Sequence, residues 1–156
     1  HDPHEALAIC DRVVVMKGGE IQQYSTPLEM VSNPSNDFVG KFVLQRNILP
    51  VRFINNSYST CIGLLRISTD DIISTKSVCM FDKSSIIIQF DLNGLFTVSS
   101  REYRINCYIY TVVYKSHKLS IETGLETNLN IGDKCNVRPI SGKDYLILPE
   151  KIKSNF

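Results

Sequence analysis

The side chains best suited to chemistry in this 156-residue chain are two histidines at its start and five dispersed cysteines. His1 and His4 are three residues apart, a spacing at which two imidazoles of one helix turn can share a metal ion. Pro3 stands between them and a third ligand is lacking. We therefore expect no metal site at this end of the chain.

The cysteines give no pattern of a metal or disulfide site. A structural zinc site needs clustered ligands, and a secreted disulfide framework needs an even number of cysteines. Here the number is odd, the spacings are wide and no Cys-x-x-Cys occurs. We expect reduced thiols that behave as small apolar side chains in a reducing compartment. They are Cys10, Cys61, Cys79, Cys107 and Cys135.

Nucleotide hydrolysis would need a phosphate-binding loop, Gly-x-x-x-x-Gly-Lys-Ser/Thr, whose amides and lysine hold the phosphates. Only Gly40-Lys41 and Gly142-Lys143 could end such a loop, and Phe42 and Asp144 follow them. No apolar strand ends in Asp-Glu, and the sequence Leu-Ser-Gly-Gly is absent. These residues alone do not encode an ATPase site.

Composition excludes several further classes of protein. Hydrophobic residues make up 43% of the chain and charged residues 21%, which is typical of a folded protein and not of a disordered one. The net charge of +1 gives no strong field for nucleic acid or acidic lipid. No apolar run approaches the roughly 20 residues that cross a bilayer. A membrane role would therefore come from docking onto a partner.

The first 44 residues predict three short helices and one hairpin. Asp2-Pro3-His4-Glu5 and Thr26-Pro27-Leu28-Glu29 are capping-box patterns, and Asn36 can cap a third helix over 37–43. In that third helix Phe38, Val39 and Phe42 are expected on one face. The β-branched run at 12–16, the turn at 17–20 and the strand at 21–24 predict the hairpin.

From residue 45 onward, strand-like segments alternate with turns. The turn markers are Asn93-Gly94, Gly124, Gly132-Asp133 and Ser141-Gly142. The predicted fold class is thus an α+β segment, residues 1–44, followed by an all-β domain, residues 45–156, as a small OB-like barrel or sandwich. The predicted strands cover 50–56, 59–67, 77–81, 85–91, 103–114, 117–123, 134–139 and 144–149.

The first segment resembles the region around the switch histidine of ABC-transporter ATPases. The resemblance rests on His1-Asp2, Glu5-Ala6, Asp11-Arg12 and the Gly18-Gly19 hairpin. The motifs Thr26-Pro27-x-Glu29 and Asn33-Pro34-Ser35-Asn36-x-Phe38-Val39 continue it to residue 43. Because the sequence begins at this histidine, we expect the other catalytic residues of the ATPase to precede His1.

The second segment resembles the accessory β-domain, called a TOBE domain, of importer ATPases. Asn47-Ile48-Leu49-Pro50 is similar to its opening segment and Ile131-Gly132-Asp133 through Val137-Arg138-Pro139 to its closing strand. Both are most like sulfate/thiosulfate importers. The run Arg66 to Ile72 lacks the proline and glutamate of the family pattern, and residues 73–100 align with nothing known to us.

The resemblance implies a function for the whole protein. His1 would donate a hydrogen bond to the γ-phosphate of ATP and stabilise developing charge. ATP and Mg²⁺ would be the cofactors of the complete ATPase, with none held by this segment alone. Expected partners are a second ATPase subunit, membrane permease subunits and a small-molecule effector at the β-domain, but no nucleic acid. The complete protein would be located in the cytoplasm or plastid stroma, peripheral to the membrane.

One alternative from another class stays open. Residues 103–114 read as one alternating strand, with Tyr108, Tyr110 and Tyr114 on one face. Tyrosines near arginines on a small β-barrel can stack nucleic-acid bases, although a core-facing strand explains the pattern better. Gly132-Asp133-Lys134 could hold an anion through its amides, although a plain turn is the simpler interpretation. A stand-alone module for an oxyanion or single-stranded nucleic acid is therefore the second hypothesis.

Overall fold

The computed structural model describes residues 2–54, 57–65, 77–143 and 145–149, and this part of the chain is mostly β. None of its helices is long and apolar enough to cross a membrane. The helices are α1 (Pro3–Ile9), α2 (Pro27–Ser32) and α3 (Asp37–Phe42). The strands are β1 (Val13–Lys17), β2 (Glu20–Ser25), β3 (Asn47–Ile54), β4 (Ser57–Thr60), β5 (Gly63–Leu65), β6 (Ser77–Phe81), β7 (Ile86–Phe90), β8 (Phe96–Arg104), β9 (Cys107–Tyr114), β10 (His117–Thr123), β11 (Lys134–Pro139) and β12 (Leu146–Pro149).

Side-chain caps begin all three helices, as the sequence predicts. The Asp2 carboxylate accepts a hydrogen bond from the His4 amide at 2.8 Å, which is the amide one residue before the one that a capping box would use. Thr26 and Glu29 form a complete capping box at α2. The Asn36 side chain accepts from the Val39 amide at 3.0 Å and caps α3.

Strands β1 and β2 form the predicted antiparallel hairpin, closed by Gly18 and Gly19, which both have positive φ. One face of the hairpin packs on α2 and α3 around a small core. This core is formed by Val15, Met30, Val39 and Val43. Phe38 and Phe42 lie on the same side of α3, as predicted, and their rings stack at 5.3 Å, although Phe42 is exposed.

The remaining strands form two five-stranded sheets, in the orders β10-β9-β8-β11-β7 and β12-β6-β3-β4-β5. Every pairing within them is antiparallel, and a single large core takes side chains from both sheets. Its largest fully buried members include Tyr110, Phe81 and Phe96. This core is separate from the one under the β1–β2 hairpin.

Two of the long predicted strands are wrong, because each is a hairpin. The segment 103–114 turns at Ile105-Asn106, so its first residues end β8 and its later residues form β9. Strand β8 begins at Phe96, where the sequence predicted no strand. The segment 59–67 turns at Cys61-Ile62 between β4 and β5, and positions 66 and 67 lie outside the described residues.

Three contacts lie around the junction between the helical segment and the sheets. Gly40 lies directly under Met80, since a Cβ added to it would be 2.1 Å from the methionine sulfur. The Arg46 Nε donates to the Asp82 carboxylate at 2.7 Å. The buried Asn47 side chain donates to the Ser120 carbonyl at 2.7 Å and accepts from the Ser120 amide at 2.8 Å. Together they fix the start of β3 against both sheets.

Candidate functional site

The predicted catalytic residue, His1, lies outside the described residues. The helix that follows it is described, and α1 has no buried residue although it carries Leu7 and Ile9. A seven-residue helix is too short to be stable in water by itself. Most of the stability of α1 must therefore come from contacts beyond its own hydrogen bonds.

The first 44 residues also expose an apolar surface on the β1–β2 hairpin. Val14 faces Tyr24 across the hairpin and Met16 faces Ile21, and all four side chains are exposed. The opposite face, with Val15, is the one that packs on the small core. An apolar sheet face left in water usually marks a contact surface. We call these four side chains the hairpin outer face.

The cysteines show no redox or metal chemistry in the part of the chain that is described. No group of three or more metal-ligating side chains converges among those residues, and all five thiols are free. Burial raises the pKa of the Cys79 thiol to about 12. Burial, followed by the Asp133 charge, raises the pKa of Cys135 to about 11. Both thiols are protonated at neutral pH and therefore unreactive.

The tyrosine face and the glycine turn singled out in the sequence are structural. Tyr110 is completely buried, and its hydroxyl donates to the Thr127 carbonyl and accepts from the Leu129 amide. Tyr108 and Tyr114 are half-buried and pack against the same core. In the turn, the Gly132 amide donates to the Val98 carbonyl and is used within the fold.

One polar cleft lies where α1 meets the sheets, and we call it the His4 cleft. Its volume is about 390 Å³, and its walls come from α1, the 44–45 linker, residues 82–84 and the outer face of β8 to β10. Charged or titratable side chains from each wall except the linker line it: His4, Asp82, Lys83, Arg104 and Glu122. No sequence motif marks this site, because up to 118 residues of chain separate its members.

Known proteins share parts of this sequence, although no protein-family model matches it. The chain is 32% identical over 104 residues to the Fe(3+) ions import ATP-binding protein FbpC of Streptomyces coelicolor, covering 67% of this chain and 30% of that protein. It is 53% identical over 49 residues to the spermidine/putrescine import ATP-binding protein PotA of Mesoplasma florum, covering 31% of this chain and 14% of that protein.

The name of a third relative refers to another solute. The chain is 52% identical over 50 residues to the sulfate/thiosulfate import ATP-binding protein CysA 2 of Chromobacterium violaceum, covering 32% of this chain and 14% of that protein. The homologues are thus ATP-binding subunits of ABC importers, and this chain spans less than a third of the length of each of these three relatives. Their names cover iron, polyamines and sulfate, so they do not specify one solute.

Proposed function

We propose that this chain is part of the ATP-hydrolysing subunit of an ABC importer. Residues 1–44 would complete its nucleotide-binding domain, and residues 45–156 would form a TOBE-type accessory β-domain that regulates or dimerises the subunit. The sequence identity to importer ATP-binding proteins carries this proposal. The complete protein would work on the cytoplasmic or stromal side of a membrane, bound to permease subunits.

The hairpin outer face supports this assignment. Residues 1–44 bury only a small core, while Val14, Met16, Ile21 and Tyr24 stay exposed together. We infer that this face packs against the body of the nucleotide-binding domain. The same packing would stabilise α1 and place His1 beside bound ATP.

In the complete subunit, His1 would act at the γ-phosphate. Two subunits would close on two ATP molecules with Mg²⁺, and the His1 imidazole would donate to a γ-phosphate oxygen as charge builds up there. As the transported solute we propose sulfate or a related oxyanion, on the likeness of 47–50 and 131–139 to sulfate/thiosulfate importers. A transport assay of the complete importer must also include iron and polyamines, because this chain is similar to ATP-binding proteins named for those solutes.

The test is ATP hydrolysis by the protein translated from the full reading frame that contains this chain. We expect His1→Ala to lower the turnover rate by roughly 100-fold, the usual loss when one hydrogen-bond donor to a developing oxyanion is removed. His4→Ala is the matched control, because it removes an imidazole three residues away in the sequence and should leave turnover within a few-fold of the parent. Equal losses in the two variants, or an upstream frame without a phosphate loop, would contradict the proposal.

A further inference from the structure

The His4 cleft has the dimensions of a small-molecule site. Its volume of about 390 Å³ lies within the range of ligand pockets. The floor is the outer face of β9, where Cys107 and Ile109 alternate with core-facing tyrosines. Arg104 stands across from Cys107 on one neighbouring strand, and Glu122 across from Ile109 on the other.

Two of the charges at this cleft are already compensated. Asp82 accepts from Arg46 at 2.7 Å, and Arg104 pairs with Glu102 at 2.8 Å. Neither therefore needs a ligand to balance it.

Two further charges are not compensated. The Lys83 ammonium donates to the neutral side-chain oxygen of Gln45, at 3.1 Å. Within the described ranges of the chain, neither Lys83 nor Glu122 belongs to an ion pair. The turn that carries Lys83 packs against β10, which carries Glu122. An unpaired cation and an unpaired carboxylate thus face the same cleft.

We propose that the His4 cleft binds a small zwitterion of amino-acid size. The ligand carboxylate binds the Lys83 ammonium, and the ligand ammonium binds the Glu122 carboxylate. A simple anion leaves Glu122 unbalanced and a simple cation leaves Lys83 unbalanced, so each binds less well than a molecule with both charges. The two contact residues, Lys83 and Glu122, belong to the β part of the chain, so binding requires no ATP and its test is independent of the proposed function.

Cys107 provides a built-in reporter, since its half-buried thiol lines the cleft. The probe is L-serine, and the readout is the alkylation rate of each cysteine in the 156-residue chain, resolved by peptide mass spectrometry. We expect saturable slowing at Cys107 and no change at Cys10, an exposed thiol outside the cleft. Sodium sulfate and spermidine at equal ionic strength serve as the anion-only and cation-only arms.

Charge-removing variants identify the two contacts. Lys83→Gln and Glu122→Gln should each weaken L-serine protection about tenfold, the effect of losing one charge-assisted hydrogen bond. Lys118→Gln and Glu20→Gln remove exposed charges outside the cleft and should leave protection unchanged. Either cleft variant suffices if the other fails to fold by circular dichroism. The proposal is wrong if L-serine gives no saturable slowing, if sulfate or spermidine alone protects equally, or if the folded cleft variants behave as the parent.

Discussion

Replacing Asn47 by aspartate tests the tie between β3 and β10. The Asn47 side chain is 6% exposed and forms two hydrogen bonds with the Ser120 backbone, donating one and accepting the other. Asn47→Asp keeps the size and the acceptor but replaces the donor by a second oxygen. That oxygen would stand 2.7 Å from the Ser120 carbonyl oxygen. The introduced carboxyl must then take up a proton to restore the bond, or stay ionised beside an unpaired carbonyl.

The loss of stability follows from the free energy needed to keep a proton on the introduced carboxyl. An ordinary aspartate has a pKa of about 3.9 and each pH unit corresponds to about 1.36 kcal/mol, so holding the proton at pH 7 costs about 4 kcal/mol. At pH 4.5 the same arithmetic gives about 1 kcal/mol. The folded state raises the pKa of the introduced carboxyl. The stability of the variant is therefore greatest below the unfolded-state pKa of that carboxyl and falls as the pH rises. The variant should thus lose about 3–4 kcal/mol at pH 7 and little at pH 4.5.

Urea unfolding of parent and variant at both pH values measures this difference. Asn36→Asp is the matched control, because Asn36 is equally buried and its Oδ1 caps the Val39 amide. Aspartate is as good a cap as asparagine, and Gln22, which accepts from the Asn36 amide, can rotate to donate instead. We expect a loss below about 1 kcal/mol there. A pH-independent loss at Asn47, or equal losses at both positions, would refute the reasoning.

Two further predictions concern packing and thiol chemistry. A Cβ on Gly94 would lie 2.3 Å from a backbone atom of Cys135, so Gly94→Ala should cost about 3 kcal/mol by thermal unfolding. Leu92→Ala removes an exposed side chain of the same turn and should cost under about 0.5 kcal/mol. Comparable losses would contradict this. With thiol pKa values of about 12 and about 11, Cys79 and Cys135 should resist maleimide at pH 8 until the protein unfolds, while exposed Cys10 reacts first. If mass spectrometry shows labelling of either thiol before Cys10, then Cys79 and Cys135 are not buried as described.

Short-range signals explain what the sequence predicted well. Each helix start depends on residues two or three positions apart, as in Thr26 and Glu29, so the pattern and the contact coincide. The β1–β2 hairpin likewise depends on Gly18 and Gly19, which tolerate positive φ. Such local chemistry is visible in the sequence before any tertiary contact forms.

Long-range pairing explains what the sequence did not predict. The turn at Ile105-Asn106 has no glycine or proline, and an unbroken apolar alternation masks it. The His4 cleft is harder still, because Lys83 and Glu122 meet only after a sheet brings β10 beside the 82–84 turn. The position of His1 relative to a phosphate is not decided within this segment, since the phosphate-binding residues of such a site are not in this chain.

Hydrogen bonds hold the junction between the two segments on both sides. A hinge needs residues that can absorb changes in φ and ψ, but Gln45 has a φ of +51°, a conformation that a non-glycine residue keeps only when its surroundings impose it. Arg46 and Asn47, the next two residues, are tied to Asp82 and Ser120. The Arg46 amide also donates to the Gly40 carbonyl of α3 at 3.0 Å, so a shift of β10 or of the 82–84 turn would act on α3 through Arg46 and Asn47. Under the proposed function, a ligand in the His4 cleft would act on the ATPase by displacing the accessory sheets and the end of the nucleotide-binding domain as one body.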